Sequence, residues 1–387
     1  MDSTADAVVI GGGVTGCAIL YNLISRGMKR VVLFDQGSLA SGGSGTSQAI
    51  CRLHYSNPVT TLLAWHSLKI LQEFEKLVGG PAGFVQTGYL LLSGDEDRQA
   101  MEANVEMQRS FGVDTEVMPL EEARRMFPML NFEGVAGITY EAQSGYADPY
   151  SVASSYVSGS VGKGGTIYLN TPVTKINVDG RRVVGVETSR GKVSAPIVLV
   201  AAGPWSPLLF RQMGIDLPQK AMRHQVLTLQ RDLSQLPSHP IVADLINEVS
   251  FRTDGHDLTL VSYGEEDSEL EGYNPGVDAT ASMEAIPRVV RRCPALQSAV
   301  LKGGWGGLFD VTPDWHPILG QVDEWRGLYT ATGFSGHGFK LAPMVGIAMA
   351  ELITEGEAHS VDITSLRWSR FRENALMDSR YRYRVLA

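Results

Sequence analysis

Residues 332–340 read TGFSGHGFK and lead into a long apolar run, so Lys340 falls just inside the start of an expected helix. The first turn of a helix carries unpaired N–H groups and a partial positive charge, and a cation there costs about 0.3–1 kcal/mol. Helix formation alone therefore does not account for Lys340, unless it stands exposed on the surface. At the other end of the chain, GGGVTG (11–16) sets Gly11, Gly13 and Gly16 at GxGxxG spacing, and Asp35 follows 19 positions after the last glycine. Each piece has a physical task in holding a dinucleotide. Gly11 makes a tight turn, Gly13 admits a diphosphate to the helix start beside Val14 and Thr15, and Gly16 lets helix and strand pack closely. Asp35, followed by Gln36, accepts from ribose hydroxyls. A merely structural turn is the alternative.

The elements needed to position these residues are legible around them. AVVI (7–10) is a buried parallel strand, AILYNLISRG (18–27) has helical periodicity, and VVLFD (31–35) is a second buried strand. The uncharged segment QGSLASGGSGTSQ (36–48) supplies backbone and hydroxyl donors, among them Ser44, Thr46 and Ser47, able to wrap a diphosphate; the alternative is a flexible surface loop. KVSAPIVLVAAGPW (192–205) and GLYTATGFSG (327–336) look like returns to the same sheet. A nucleotide domain assembled from separated stretches favours FAD over a nicotinamide cofactor. Between them, FVQTGYLLLSG, GVAGITY, HQVLTLQ, SFRTDGHDLTLVSYG and AVLKGGWGGLFD read as strands of a roofing sheet, with helices at 95–111 and 281–292. INVDGRRVVGVETSRGKV (176–193) reads as a separate hairpin meander.

The expected fold class is α/β plus α+β. A Rossmann-type, glutathione-reductase-like FAD-binding domain (1–82, 145–220 and 305–387) interleaves with an antiparallel-sheet substrate domain (83–144 and 221–304).

Composition narrows the partners. In 387 residues, 44% are hydrophobic, 42 are glycine, and the formal net charge is −9, with no Lys/Arg-rich block. Nucleic acid is excluded as a partner and a small molecule or another protein is favoured. Cys17, Cys51 and Cys293 are too few and too scattered for a disulfide framework, and no Glu/His cluster has metal-ligand spacing. No apolar run reaches membrane-spanning length and the N-terminus lacks a secretory pattern, so the expectation is a cytoplasmic protein without a membrane anchor.

GGGVTG with its acid, SGYADP (144–149), AAGPW (201–205), TPDWHPILG (312–320) and TGFSGHGFK together resemble the D-amino-acid oxidase and sarcosine oxidase superfamily, with the look of its sarcosine oxidase β-subunit type. The resemblance spans nearly the whole chain. It implies FAD-dependent oxidation of the C–N bond of a small amino acid or N-alkyl amino acid by hydride transfer to flavin N5, giving an imine that hydrolyses. It further implies that Lys340 holds the substrate carboxylate together with Arg52, the only Lys or Arg between Arg30 and Lys69. Alternatively, Arg52 pairs with an acidic side chain or the FAD phosphates. His54 and Tyr263 join Arg52 and Lys340 as candidate catalytic residues, while Tyr55, Tyr263, Trp305 and Phe309 are candidates for an apolar wall. Carried over as cofactor contacts are Val173, Ala202, Gly203, Trp205, Gly306, Gly333, Gly336, His337, Gly338 and Lys340. His54, His316 and His337 lie in matching motifs, where packing or capping roles compete with catalysis.

Three departures shape the expectation. Gly307 stands where monomeric sarcosine oxidases carry the flavin-linking cysteine, and the Gly/Ser loop has no histidine, so FAD is expected without a covalent bond. Thr259 and Leu260 occupy the place of the oxygen-activating lysine, which leaves the electron acceptor open. The competing function is a flavin-binding scaffold or electron-relay subunit of a heteromeric complex; heteromeric subunits and a homo-oligomer both remain open.

Overall fold

The computed structural model describes residues 3–381. Strand Ala7–Ile10 is buried throughout and pairs in parallel with Val31–Phe34 on one side and Val198–Val200 on the other. Across this six-stranded sheet the order is Ile318–Gln321, Leu328–Thr332, Val198–Val200, Ala7–Ile10, Val31–Phe34 and Thr166–Tyr168. Only the edge pair of Ile318–Gln321 with Leu328–Thr332 is antiparallel. Both faces are covered, and the period-2 alternation of strands sorts the side chains between them. Ala7, Val9, Val31 and Leu33 join the core under helices Val14–Ser25 and Gly338–Glu355. Val8, Ile10, Val32 and Phe34 face Ile176, Val183 and Val193 of the three-stranded meander.

Helices Val14–Ser25 and Gly338–Glu355 pack together closely enough that a Cβ on Gly346 would lie 2.7 Å from the Cβ of Ala18. That contact brings two helices remote in sequence side by side, and both helix starts border the same cavity.

A second, eight-stranded sheet has the order Val300–Val311, Lys220–Gln230, Leu258–Asp267, Val249–Asp254, Ile241–Asp244, Tyr89–Ser93, Gly137–Glu141 and Glu116–Val117. Its pairs are antiparallel except that of Ile241–Asp244 with Tyr89–Ser93, which is parallel. Between those two strands the chain supplies Thr166–Tyr168 and Val198–Val200 to the six-stranded sheet, so no hairpin constrains their direction. One face buries Leu90, Leu227, Phe251 and Val261 against Ala285 and Val289 of helix Ala279–Arg292. Strand Val300–Val311 runs straight through the boundary expected at 304/305; its first half is exposed, and its second half reaches the cavity below the sheet.

The TPDWHP corner is fastened by Arg370, fully buried, whose Nε and Nη2 donate to the two Asp314 oxygens at 2.8 and 2.9 Å. The His316 ring contacts the Asp314 carbonyl at 2.7 Å and Asn57 at 3.1 Å, so His316 is a packing residue of this corner.

Candidate active site

Immediately after strand Ala7–Ile10 the chain turns at Gly11 with φ +117°, where a Cβ would collide with the Ala201 carbonyl oxygen. Only glycine fits that backbone. Helix Val14–Ser25 then starts at Gly13 without a side-chain cap or an acidic residue in its first turn. The Val14 N–H donates to Ser44 Oγ at 3.1 Å, and this helix start borders a cavity of about 620 Å³, lined by Gly11, Gly13, Val14, Thr15, Asp35, Gln36, Ser44, Ser47, Val173, Ala202, Gly203, Trp205, Gly336 and Gly338. The start of helix Gly338–Glu355, also without a side-chain cap, meets the same cavity. Asp35 accepts from the Gly12 N–H at 2.6 Å and the Gly37 N–H at 2.7 Å, so its carboxylate ties the glycine turn to the Gly/Ser loop while bordering the cavity.

A second, smaller cavity of about 120 Å³ lies against the first, and Ser47, Phe309 and Gly336 line both. Arg52 and Lys340 are in its wall. Lys340 is buried, and its Nζ donates to the Gly336 carbonyl at 3.4 Å. Burial, reinforced by the Arg52 charge, pulls its ammonium down to about 7. The Arg52 guanidinium donates to the His54 carbonyl, lies 3.4 Å from His337 Nδ1 and sits 4.3 Å over the Tyr55 ring. Beside it, Glu141 accepts from the Leu53 N–H at 2.8 Å and the Ser144 hydroxyl at 2.6 Å; burial raises its carboxyl to about 7.

The sequence alone did not bring Gln48, Tyr89, His224 or Ser262 to this cavity, yet all four line it. Both amide atoms of Gln48, the Tyr89 hydroxyl and His224 Nδ1 have no hydrogen-bond partner among the described residues. His224 stacks on Phe309 at 4.7 Å, and burial pushes its imidazole down to about 4. In the larger cavity Asp310, Tyr273 and Phe339 are likewise additions. Asp310, raised to about 6 by burial, accepts the Gly333 N–H at 2.7 Å. Gln48 and Phe339 lie inside the Gly/Ser segment and the TGFSGHGFK motif without having been singled out there, while Tyr89, His224, Ser262 and Tyr273 come from segments far apart in the chain.

A family model described as FAD dependent oxidoreductase matches residues 6–352. The chain belongs to that family. It is 28% identical over 400 residues to sarcosine dehydrogenase, mitochondrial, of Homo sapiens, an alignment covering 97% of this chain and 44% of that protein. The chain thus spans less than half the length of that relative. It is 29% identical to sarcosine oxidase subunit beta of Arthrobacter sp, covering 96% of this chain and 92% of that one. Among solved structures, L-proline dehydrogenase from P.horikoshii superposes with a TM-score of 0.90 at 26% identity, covering 97% of this chain and all of that one.

The residues present fit FAD. The volume of the larger cavity lies in the range of cofactor sites, and two helix starts border it, one with its first N–H held by Ser44 Oγ, a hydroxyl that also lines the cavity; their dipoles favour a diphosphate there. A Cβ on Gly13 has only Ser44 Oγ within 4 Å, at 3.0 Å, so the open side of that glycine is the cradle.

Seven expected site residues lie elsewhere, and Lys340, expected against the cofactor as well as the substrate, lines the smaller cavity only. Gly16 packs, as its Cβ would collide with the Gly11 carbonyl; it does not line the cavity. Thr46 borders the smaller cavity only. Gly306 faces Arg223 and the 274–276 loop, because alternation along its strand turns Gly307, not Gly306, toward Thr46. Gly333 forms the turn, with φ +71° and its N–H on Asp310. His337 turns away from the larger cavity toward Arg52 and the Tyr55 ring, and burial with the Lys340 and Arg52 charges holds it well below the usual imidazole range. His54 is fully buried behind Arg52, and burial pushes it down to about 3. Tyr263 is one residue out of register: Ser262 lines the cavity, while the Tyr263 hydroxyl donates to Glu284 on the opposite face of the sheet. Of the other wall candidates, Phe309 lines both cavities, Tyr55 sits under Arg52, and the Trp305 indole donates to the Thr46 carbonyl at 2.8 Å.

Proposed function

We propose that this chain oxidises the C–N bond of a small amino acid or N-alkyl amino acid bound in the smaller cavity. The supporting observation is the pair of buried cations, Arg52 and Lys340, in a cavity that shares Ser47, Phe309 and Gly336 with the flavin cavity. Bound FAD supplies a hydride acceptor. The protein's part is to bind and orient. Arg52 offers a planar fork to a carboxylate, and Lys340 adds a point charge on its stem. Phe309, backed by the His224 ring, forms a wall between the cavities and keeps water from the reacting bond. Lys340 is near half-charged at neutral pH in the free protein, and an incoming carboxylate draws a proton onto it. The substrate nitrogen reacts as the neutral amine, its ammonium proton having gone to solvent, and loss of a hydride from the adjacent carbon leaves an iminium, so no strong base is required of the protein. The resulting imine hydrolyses in water.

Non-covalent FAD belongs to the same reading. The Cβ direction of Gly307 runs into Thr46 Oγ1, so a flavin-linking cysteine would not fit there without a shift. Acid precipitation should release the yellow colour into the supernatant; colour retained in the pellet would overturn this point.

A second reading is a flavin-bearing subunit whose catalytic cycle needs other chains, favoured by the similarity to a subunit named beta. One experiment separates the two. Sarcosine, other N-alkyl glycines, proline and D-amino acids are mixed anaerobically with the isolated holoprotein, and flavin absorbance is followed. Bleaching by one of them supports a self-sufficient active site. No bleaching by any of the panel, with FAD bound, favours the subunit reading.

A further inference from the structure

We propose that the C-terminal segment holds the carboxylate-binding arginine in place, with Tyr381 as a positioning residue acting through His54. The inference rests on the reading of Arg52 given above. Arg52 donates to the main-chain carbonyl of His54, so that peptide is one of the contacts that fix the guanidinium, with His337 and the Tyr55 ring among the others. The His54 ring is 0% exposed, and its Nε2 lies 2.5 Å from the Tyr381 hydroxyl. His54 Nδ1 has no hydrogen-bond partner among the described residues, which leaves the tyrosine contact as the polar tether of the ring.

The tail meets the 52–57 loop directly at Asn57 and indirectly through Asn104, and is fastened beside it to Asp314. Met377 N–H donates to Asp314 at 3.2 Å, and the Asn57 amide donates to the Asp378 carbonyl at 2.7 Å. Arg380 donates to Asn104 at 3.2 Å, and Asn104 donates to Ser56 at 3.3 Å. Tyr381 itself is buried beside Tyr89, Leu91 and Ile241 of the roofing sheet. Tyr89 lines the smaller cavity. One side chain therefore touches both the loop that carries Arg52 and the strand that closes the cavity opposite it. A loop residue that must present a fork at fixed geometry needs such support, because small displacements weaken bidentate binding steeply.

Tyr381→Phe keeps the ring and removes the hydroxyl. The purified FAD-loaded protein is titrated with acetate, and with acetamide as the neutral control, following the flavin spectrum. Acetate should bind about tenfold more weakly to Tyr381→Phe, with acetamide unchanged, since a buried imidazole nitrogen loses its partner. For a carboxylate substrate, KM should rise while kcat holds. Arg52→Met is run in parallel. If Arg52→Met leaves acetate binding intact, the carboxylate reading of the site falls and this inference with it. If Arg52→Met weakens acetate but Tyr381→Phe does not, the positioning role alone is overturned. Equal weakening of acetate and acetamide, or a lowered melting temperature with acetate affinity unchanged, would assign Tyr381 to packing and overturn it as well.

Discussion

The two adjoining cavities are made of different material. The larger is walled mostly by backbone and small residues at the ends of parallel strands, with Gly11, Gly13, Ala202, Gly203, Gly336 and Gly338 around it. The smaller is walled by side chains, charged, aromatic and amide, from the roofing sheet, the Gly/Ser loop with the segment that follows it, and the start of helix Gly338–Glu355. Backbone N–H groups and glycines suit a ligand that is the same throughout a family, because they recognise a diphosphate by shape and dipole. Side chains suit a ligand that differs between family members, because they change without rebuilding the fold.

The sharpest way to break this comparison is to put a side chain into the backbone-walled cavity. Gly13→Val meets only Ser44 Oγ within the protein, so the chain should fold, but FAD affinity should drop by about 3 kcal/mol or more, a factor above about 100. Flavin content and the circular dichroism of the apoprotein check both halves; full flavin content would mean that the diphosphate lies elsewhere.

Next in size is the side-chain cavity. Arg52→Met or Lys340→Met should cost a carboxylate substrate about 2–5 kcal/mol in kcat/KM. The corresponding amide should lose little. Lys340→Met also removes a cation from a helix start and from beside Arg52, so its melting temperature should hold or rise. Equal losses on acid and amide would transfer Lys340 to the flavin or the fold.

A smaller effect follows from titration. Lys340 is charged below about 7 and neutral above it in the free protein. Carboxylate affinity should therefore be highest on the acid side and fall as pH rises through about 7. The fall continues above that value because a bound carboxylate raises the lysine pKa. Acetate dissociation constants measured across this range would show it, and Lys340→Met should flatten the profile.

The smallest effect is expected at Tyr263. Its hydroxyl serves Glu284 and its ring lies under Arg288 at 5.0 Å, on the face away from the cavity. Tyr263→Phe should change kcat/KM and stability by no more than about 0.5 kcal/mol. A large loss in kcat/KM would return it to the site.

Much of the backbone-walled cavity was legible along the chain, since its demands are local. A turn with φ +117° at Gly11 and a helix start with no acidic residue are properties of a few consecutive residues. The alternation that sends Val8 and Val9 to opposite faces is equally local. The extra wall residues Asp310, Tyr273 and Phe339 escaped because they arrive on elements remote from the glycine turn. The second cavity was legible only through Arg52 and Lys340, and through motif resemblance more than through spacing.

The sequence by itself determined the strand–helix–strand unit at the N-terminal end and the helix that carries Lys340, because these depend on backbone conformation and apolar period. The tertiary structure alone decided which side chains meet. Gln48, Tyr89, His224 and Phe309 come together only where the Gly/Ser loop and strands of the roofing sheet converge. Tyr263 missed the cavity by one residue, since a strand sends neighbours to opposite faces and only pairing with Lys220–Gln230 and Val249–Asp254 says which face is inward. His54 and Tyr381 are 327 positions apart in the chain and 2.5 Å apart in space, a contact created by the fold and written in no local pattern.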